Sequence, residues 1–318
     1  MKVIRALRRE GVLGINRRNV DFTLRWNPRR FYPVVDDKLT TKERCQRAGI
    51  PVPALLAVAR HHFEIPRLLR DLETLDAFVL KPAHGAMGNG ILVVRARDGR
   101  RFQRADGRWS DAGDLRYHAA SIISGLYALG GQIDAAFVEE RILVHPTLED
   151  VATQGLPDVR VIVFRGVPVM SMMRLPTRRS GGRANLHQGA VGAGVDLGTG
   201  HFTSAVQDHR PVDRHPDTGQ RLLGRPVPHF ERALESAVAA TDLSGLGYVG
   251  ADVVVDAARG PLILELNARP GLAIQLANRA GLLPRLSAVE ARWEPGMSLA
   301  ARIALGREIA AAARDGAR

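Results

Sequence analysis

The most constraining feature of this 318-residue chain is the segment YVGADVVVDAARGPLILELNARPG at residues 248–271. Two aliphatic runs, 249–255 and 262–266, flank a short turn at residues 257–260, and this pattern predicts a β-hairpin. The alternation along the hairpin places Asp252, Glu265 and Asn267 among aliphatic neighbours, where an unpaired charge is costly. The segment therefore predicts a polar site carried on a hairpin.

These three polar residues have the chemistry of a metal site. Glu265 and Asn267 are two positions apart, so on a strand their side chains point to the same face. Oxygen ligands of this kind suit a hard cation such as Mg²⁺. A carboxylate that caps a turn or pairs with one of the many arginines explains the pattern equally well. Taken alone, the hairpin leaves both interpretations open.

Composition places the chain among ordinary globular proteins, with a length that favours about two domains. No apolar run is long enough to span a bilayer, and the first residues lack the apolar core of a signal peptide. The single cysteine, Cys45, excludes an internal disulfide and fits a reducing compartment. It lies in a predicted helix, where we expect a buried apolar residue and not a nucleophile. These features predict a cytoplasmic protein.

The net charge of +12 is concentrated at the start of the chain, where residues 1–30 hold nine Lys or Arg against Glu10 and Asp21, a balance of +7. Such a segment is compatible with nucleic acid, anionic lipid or an acidic polypeptide, and also with a solvated surface. Aromatic residues total only 5%. Because no motif with interleaved aromatics is present, nucleic acid is not the expected partner.

The predicted elements alternate hairpins with helices, which favours an α+β fold over a series of parallel βαβ units. Residues 1–36 are expected to be irregular, because Pro28 and Pro33 interrupt regular structure. No strand is predicted in the polar, glycine-rich stretch 176–200. Helices are predicted at 37–49, 64–75, 115–129, 230–241 and 298–318, strands at 78–81, 91–97 and 135–142, and hairpins at 101–109 and 158–174.

A glycine-rich loop at residues 84–90 follows Lys81, which ends a predicted strand. Gly85, Gly88 and Gly90 would let backbone N–H groups approach an anion, and the lysine supplies positive charge for a phosphate. The loop is neither a P-loop nor a dinucleotide-binding fingerprint. Many glycine-rich loops are simply tight turns, so phosphate binding is a hypothesis at this point.

The order of the motifs is more specific than any one of them. The chain contains, in succession, DDKLTTKERCQRAGIPVP, FVLKPAHGAMGNGI, FVEERI, DVRVIVFRGVPV, RANLHQGA and ADVVVDAARGPLILELNARPG. With this order, residues 35–285 resemble ATP-grasp carboxylate–amine ligases, and RimK-type alpha-L-glutamate ligases in particular. The resemblance implies an ATP-grasp fold of class α+β, in which two α+β subdomains grip ATP between them.

The resemblance also implies a domain organisation. Residues 37–285 would form the ATP-grasp region, with a smaller glycine-loop subdomain at about 76–142 and a metal-binding subdomain at about 143–285. Residues 1–36 would be a basic arm. Residues 286–318 would be a helical extension that packs on the body or mediates self-association. The substrate-side N-terminal domain of similar ligases is reduced here, and the arm or a partner chain would replace it.

Carried over by position, the resemblance assigns the nucleotide-binding residues. Lys38, Lys81 and the loop glycines would hold the phosphates, and Asp158 would contact the nucleotide. Glu139, Glu140 and Arg141 fall on the linker strand that in similar enzymes hydrogen-bonds adenine through its backbone. Ile142 would form part of the apolar adenine pocket. Arg183 and Asn185 would lie beside the transferred phosphate.

The metal ligands implied by the resemblance are Asp252, Glu265 and Asn267, which would bind two Mg²⁺ ions, with Mn²⁺ as an alternative. Arg183 and Arg269 are the catalytic candidates. Arg269 stands where RimK-type sequences have a small residue. It would hold a substrate carboxylate by a bidentate hydrogen bond, although a structural salt bridge explains it equally well.

The implied reaction is ATP-dependent addition of an amino acid, glutamate first, to an acceptor carboxylate such as an acidic peptide, through an acyl phosphate. Alternatives are another peptide, an amino sugar or a cell-surface precursor as substrate, and an inactive nucleotide-binding or nucleic-acid-binding protein. His84 and His187 are candidates for substrate contacts. His201, His209 and His215 have loosely metal-like spacing, but we expect them to be surface residues.

Overall fold

The computed structural model describes residues 2–85 and 88–315. Its helices are α1 (Lys2–Arg9), α2 (Ile15–Arg17), α3 (Tyr32–Asp36), α4 (Lys38–Arg47), α5 (Ile65–Leu72), α6 (Ala112–Ile123), α7 (Phe230–Asp242), α8 (Ile274–Asn278), α9 (Leu283–Arg292) and α10 (Leu299–Asp315). Its strands are β1 (Leu55–Ala59), β2 (Phe78–Pro82), β3 (Leu92–Asp98), β4 (Arg101–Arg104), β5 (Trp109–Ser110), β6 (Ala136–Glu139), β7 (Asp158–Phe164), β8 (Val167–Leu175), β9 (Val191–Val195), β10 (Phe202–Gln207), β11 (Arg210–Pro211), β12 (Tyr248–Asp256) and β13 (Gly260–Asn267). The chain divides into a larger unit, Met1–Val35, Thr40–Val52 and Leu143–Arg318, and a smaller unit, Asp36–Leu39 and Pro53–Ile142.

The larger unit is built on an antiparallel sheet with the strand order β11-β10-β9-β8-β7-β12-β13. The predicted hairpin forms the β12–β13 edge, with Asp252 opposite Glu265 and Gly250 opposite Asn267. Its turn is stabilised because the Asp256 carboxylate accepts two backbone N–H hydrogen bonds of 3.0 Å from the following turn. The hairpin prediction is confirmed, and strand register brings the polar residues side by side.

The two faces of this sheet are covered by different elements, except that α10 contributes side chains to the apolar clusters of both. Alternation along β7 sends its valines to one face, where they pack with α7 and α10: Val159, Val161 and Val163. Phe164 points to the other face, where it packs with Tyr248, the N-terminal segment, α8 and α9. Asp158 and Arg160 share this second face. The second face therefore changes from apolar to polar along β7.

Residues 2–36 contain the helices α1, α2 and α3, so the prediction that residues 1–36 are irregular is wrong for the described part of that stretch. A π-helical segment, Arg18–Leu24, continues α2. Phe22 packs edge-to-face on Phe164, with ring centroids 5.5 Å apart. The Asn27 side-chain amide donates to the carbonyl oxygens of Tyr248 at 2.7 Å and Ala268 at 2.8 Å. These long-range contacts fix the segment against the hairpin, and no local sequence pattern encodes them.

The smaller unit contains a second antiparallel sheet, with the order β1-β6-β2-β3-β4-β5, on which α5 and α6 pack. The glycine-rich loop connects β2 to β3, and its residues Ala86 and Met87 lie outside the described part of the chain. Gly90 has φ 75°, and a Cβ there would lie 2.6 Å from the Tyr127 ring. Only glycine fits this position. Together the two sheets confirm the predicted α+β class.

Several elements differ from the sequence prediction. The helix predicted at 115–129 ends at Ile123, because Gly125 adopts φ 81° where a Cβ would come within 2.3 Å of a carbonyl oxygen. The stretch 176–200 contains β9, a buried strand that the sequence did not indicate. Strands β1 and β10 and helices α8 and α9 were also not predicted.

The C-terminal helix α10 packs on the sheet of the larger unit. Ile303 and Ile309 are buried. At Gly306 a Cβ would lie 2.2 Å from the carbonyl oxygen of Pro168, so glycine permits this close approach to β8. Packing on the body is confirmed as a role for this helix, while residues 316–318 lie outside the described residues. Within the described ranges, no helix has both the length and the apolar character needed to cross a bilayer.

The thiol of Cys45 provides a test of this packing. Cys45 is buried in the core of the larger unit, and burial raises the pKa of its thiol to about 11. Since the thiolate is the reactive form, we expect the native protein to react with a thiol reagent at pH 8 at least about 100-fold more slowly than the urea-unfolded chain. Stoichiometric labelling of the native protein at the unfolded rate would contradict this packing.

Candidate active site

Two arginines and two aspartates form a buried ion-pair network on the second face of the larger sheet. Arg160 donates from Nε and Nη2 to the two oxygens of Asp252, each at 2.5 Å. Arg174 donates to Asp252 at 2.7 Å and holds Asp158 by two hydrogen bonds of 2.6 Å. Asp252 is fully buried. For Asp252, the pairing with arginine that the sequence left open is therefore present.

Glu265 and Asn267 extend this network towards solvent. The Asn267 Nδ2 atom lies 3.2 Å from Glu265 Oε1 and 3.5 Å from Asp252 Oδ2. The Glu265 side chain is 30% exposed, and its Oε1 atom lies 4.0 Å from the Arg160 guanidinium. The structure thus brings together all three residues predicted as metal ligands.

The protonation of the network is set by competition between burial and charge. Burial raises the pKa of Asp158 to about 6, against the opposing effect of Arg174. Burial would also raise the pKa of Asp252, but Arg160 and Arg174 outweigh it and hold that pKa below its usual range. For Arg174 the two aspartates outweigh burial and raise its pKa. The charged form is therefore favoured for Asp252, whereas burial favours the protonated form of Asp158 more than it would for an exposed aspartate.

The donor set fits a hard divalent cation. Three carboxylates, Asp158, Asp252 and Glu265, face two guanidinium groups, which leaves one negative charge when all are ionised. Among the described residues no group of three His, Cys, Asp or Glu has metal-binding geometry. Here two carboxylates and an amide provide the oxygens, and rotation of the Asn267 amide exchanges its nitrogen for its oxygen. Asp252 already accepts three hydrogen bonds from guanidinium groups. Most of the metal coordination would therefore come from Glu265 and Asn267.

The other predicted residues of the larger unit lie in loops. Arg183 is exposed between β8 and β9, and the Asn185 side chain accepts a 3.0 Å hydrogen bond from the backbone N–H of His187, which caps a 3₁₀ turn. Arg269 is also exposed, and its guanidinium lies 5.3 Å from the centroid of the Tyr32 ring. Its contact is therefore aromatic, not the salt bridge considered from the sequence.

In the smaller unit both predicted phosphate-binding lysines are held by oxygen acceptors. Lys81 is buried at the end of β2 and hydrogen-bonds to the buried carboxylate of Glu139. Lys38 donates to the carbonyl oxygen of Gly85 in the glycine-rich loop. Glu139 was predicted to act through its backbone. Its side chain as the ion-pair partner of Lys81 was not foreseen.

The linker after β6 is tied to the chain before β1. The Glu140 backbone N–H donates to the Ala54 carbonyl oxygen at 3.0 Å, and the Glu140 carboxylate accepts from Ala54 N–H at 2.8 Å. Ile142 is buried, as expected of an apolar pocket residue. These contacts stiffen the linker. They leave Arg141 and Ile142 as its better candidates for adenine contact.

His84, the first residue of the glycine-rich loop, is held in place by hydrogen bonds. His84 Nδ1 lies 2.8 Å from Oδ1 of the buried Asp134, which also accepts the His84 backbone N–H at 3.1 Å. Of the histidines expected at the surface, His201 and His209 are exposed. His215 is buried against the Pro176 carbonyl oxygen at 3.2 Å, so that expectation is wrong for His215.

The sequence reasoning missed Arg160, Arg174 and Asp134. For the two arginines a signal was present, since Arg160 lies two positions after Asp158 on a strand and so shares its face. Arg174 lies opposite Asp158 in the β7–β8 hairpin, which was predicted. For Asp134 no local signal existed, because its partner His84 is 50 residues away.

A family model described as sugar-transfer associated ATP-grasp matches residues 17–291. The chain belongs to this ATP-grasp family. The match confirms the predicted ATP-grasp fold, and it begins inside the N-terminal segment that the resemblance had left outside. ATP-grasp enzymes generally couple ATP to the ligation of a carboxylate with an amine. The finer resemblance to RimK-type ligases stays a proposal.

Solved structures with low similarity include two ligases and a synthetase. The ATP-grasp ligase PsnB with its minimal precursor is 15% identical, with a TM-score of 0.46 over 88% of this chain and 63% of that chain. D-cycloserine synthetase DcsG is 15% identical, with a TM-score of 0.46 over 84% of this chain and 73% of that chain. D-alanine–D-alanine ligase from Bacillus anthracis with ATP is 14% identical, with a TM-score of 0.42 over 90% of this chain and 69% of that chain. The chain spans less than two thirds of the length of PsnB, and no curated protein matches it significantly.

Proposed function

We propose that this ATP-grasp protein is an ATP- and Mg²⁺-dependent ligase that forms an amide bond through an acyl phosphate. The observation that supports it most is the convergence of Asp252, Glu265 and Asn267 at one end of a sheet face, supported by Arg160 and Arg174. An inactive scaffold would have no need of this partly exposed set of acidic and amide oxygens above a buried ion-pair network.

The chemistry needs positioning and positive charge but no protein nucleophile. A substrate carboxylate oxygen attacks the γ-phosphorus of ATP, the bond to the β,γ-bridging oxygen breaks, and ADP leaves. The amine of the second substrate then attacks the acyl carbon, phosphate leaves, and the nitrogen loses a proton. Both reactants of the first step are anions, so cationic groups must offset their repulsion.

Roles for the individual residues follow from this chemistry. In the smaller unit Lys38, Lys81 and the glycine-rich loop would hold the nucleotide phosphates, and Arg141 and Ile142 the adenine. In the larger unit Asp252, Glu265 and Asn267 would hold two Mg²⁺ ions, or Mn²⁺. Arg183 and Asn185 would meet the transferred phosphate. When bound, the cation would neutralise the triphosphate and polarise a phosphoryl oxygen.

The test is ADP release by the pure protein with Mg²⁺-ATP and a panel of carboxylates, in the presence of hydroxylamine. Hydroxylamine converts an acyl phosphate to a hydroxamate, which identifies the activated carboxylate. A ligase gives hydroxamate in proportion to ADP. ATP binding without either product would support a nucleotide-binding scaffold and refute the ligase proposal.

For the amine substrate we propose an acidic amino acid, glutamate first, in keeping with the RimK-type resemblance. The exposed guanidinium of Arg269 follows the metal-binding strand directly and is suited to bidentate binding of a carboxylate. An acidic peptide is the matching acceptor. The single buried cysteine fits the proposed cytoplasmic location.

A variant of Arg269 tests the acidic substrate. We expect Arg269→Ala to raise the KM for glutamate about 10- to 100-fold, because one charge-assisted bidentate contact is lost, and to leave the KM for ATP unchanged. Arg232→Ala, on the exposed side of α7, removes the same charge and should change neither constant. Equal activity with alanine or glycine in place of glutamate would refute the acidic substrate while leaving the ligase proposal intact.

A second candidate substrate is an amino sugar or a sugar-linked precursor, and the description of the family as sugar-transfer associated favours it. The amine of an amino sugar would take the place of the amino acid in the second step. In the hydroxylamine experiment, adding amino sugars and amino acids separately would distinguish the two. The substrate that suppresses hydroxamate formation by competing for the acyl phosphate is the true amine.

The Lys81–Glu139 pair allows a direct test of nucleotide binding. If Lys81 contacts phosphate, Glu139→Gln should keep ATP affinity, because the lysine is retained. The double variant Lys81→Ala/Glu139→Gln should bind ATP about 10- to 100-fold more weakly, without leaving a buried carboxylate unpaired. Calorimetric titration measures both, with Arg67→Gln on α5 as the charge control. Equal affinity of the double variant and Glu139→Gln would exclude the phosphate role of Lys81.

A further inference from the structure

The N-terminal segment carries an apolar stripe on its outer side, which we call the outer stripe and which consists of Ile15, Val20 and Leu24. These side chains are 61%, 60% and 61% exposed. They are spaced five and four residues apart in α2 and the π-helical segment that follows it. Because a π-helix closes its hydrogen bonds from i to i+5, this spacing places them on one side of the segment.

The inner side of the same segment is fixed by contacts with the body of the larger unit. Arg18 donates to the carbonyl oxygen of Pro270 at 3.0 Å, and its other acceptor is the neighbouring Asn19 side chain. Phe22 packs on Phe164 and Tyr248. The segment is therefore held in one orientation, and exposure of the outer stripe follows from the packing of its inner side.

Exposed arginines lie within and directly after the outer stripe in the chain, and we call them the bordering arginines: Arg17, Arg25, Arg29 and Arg30. Arg17 pairs with Asp21 at 3.0 Å and Arg25 with Glu290 at 3.3 Å, and both pairs are solvent-accessible, so water and salt screen them. Arg30 stacks on Phe31, with its guanidinium 4.8 Å from the ring centroid. Over residues 1–30 the balance remains +7.

We propose that this segment binds the surface of a membrane that contains anionic lipids, without crossing it. The outer stripe would enter the boundary between headgroups and acyl chains, and the bordering arginines would meet lipid phosphates. Single exposed aliphatic residues are ordinary in soluble proteins. Three on one side of a fixed helical segment, bordered by cations, are the combination that interfacial membrane binding uses.

A membrane fits this surface better than a protein partner does. A stable protein interface buries about 800 Å² on each partner. Three protruding aliphatic side chains provide much less apolar area than that. In a membrane no minimum area applies, because each inserted CH₂ group and each nearby arginine contributes separately.

The test is co-sedimentation of the full chain with phosphatidylcholine vesicles, with and without phosphatidylglycerol, in the absence of ATP. We expect binding only to vesicles that contain phosphatidylglycerol, weakened by added salt. The triple variant Ile15→Ser/Val20→Ser/Leu24→Ser should bind at least about tenfold more weakly. Arg29→Gln/Arg30→Gln should lose about 25-fold, since each arginine near an anionic surface contributes about fivefold.

Matched variants in the smaller unit test whether vesicle binding depends on the outer stripe and its arginines, or on exposed apolar side chains and positive charge anywhere on the protein. Phe63→Ser/Leu126→Ser/Ile133→Ser removes three apolar side chains that are more exposed than those of the outer stripe, and Arg67→Gln/Arg70→Gln removes the same charge from α5. We expect both controls to bind vesicles like the unmodified protein. Unchanged thermal unfolding of all four variants shows that their fold is retained.

Three outcomes would overturn the proposal. The first is no binding of the unmodified protein to phosphatidylglycerol vesicles. The second is an equal loss in the stripe variants and their controls, which would indicate a diffuse effect. The third is an oligomer that the triple serine variant dissociates while vesicle binding stays unchanged, which would make the stripe an interface between copies. The assay uses no nucleotide, so its result is independent of the ligase proposal.

Discussion

Glu265→Gln should abolish ligation, with a fall in kcat of at least roughly 100-fold, while the fold is retained. Glu265 is the most accessible carboxylate of the acidic network, and its neighbour Asn267 lies 3.2 Å away. An amide keeps the shape and the hydrogen bond but removes the charge that would face a dication. Charge stabilisation by a bound metal is worth several kcal/mol in phosphoryl transfer, and each 1.36 kcal/mol corresponds to a tenfold change in rate.

The control for this variant is Glu235→Gln, the same substitution on the exposed side of α7. Two measurements are needed, steady-state ADP production and the dependence of ATP affinity on Mg²⁺ by calorimetry. The unmodified protein and Glu235→Gln should bind ATP more tightly when Mg²⁺ is added, and Glu265→Gln should lose most of that gain. If Glu265→Gln turns over at the normal rate, the metal assignment is wrong.

How far the fold could be predicted depended on the range of the contacts involved. The β12–β13 hairpin follows from local alternation and from the Asp256 turn, and both are written in consecutive residues. Strand β9 was missed because its sequence, VGAGV, is rich in glycine. A Cβ at Gly194 would lie 2.5 Å from the Ala277 carbonyl oxygen, and one at Gly192 would lie 2.6 Å from the Leu186 side chain. Tertiary packing therefore selects glycine here against its low strand propensity.

In the candidate site, too, some features follow from the local sequence and others depend on long-range contacts. Same-face placement of Glu265 and Asn267 follows from the two-residue period of a strand. The burial of Asp252 between Arg160 and Arg174 depends on the register of β7 with both β8 and β12, which brings Asp252 to two arginines that are 92 and 78 positions away in the chain. The resemblance predicted the candidate oxygen ligands Asp252, Glu265 and Asn267. It did not supply the guanidinium partners, because pairing across strands is decided by geometry and not by local pattern.

The arginine contacts of Asp252 predict the largest loss of stability in the chain. Asp252 is fully buried and accepts three hydrogen bonds from Arg160 and Arg174. Asp252→Asn replaces an acceptor oxygen by an NH₂ donor that faces guanidinium donors, and it leaves buried positive charge uncompensated. Removing one partner of a buried ion pair costs about 3–5 kcal/mol. We expect a loss of this size in the free energy of unfolding, measured by urea denaturation in the presence of EDTA so that metal binding does not contribute.

A matched substitution separates burial from ion pairing as the cause. Asp150 accepts two hydrogen bonds of 2.7 Å from Arg225 in the same unit, but its side chain is 41% exposed. Because water can replace those contacts, Asp150→Asn should cost less than about 1 kcal/mol. The comparison requires equal urea dependence of the two transitions, since a changed slope signals a different unfolded or partly folded state. If Asp252→Asn is no more destabilising than Asp150→Asn, the buried network does not hold the larger sheet together, and the geometry of Asp252 has to be explained by ligand binding alone.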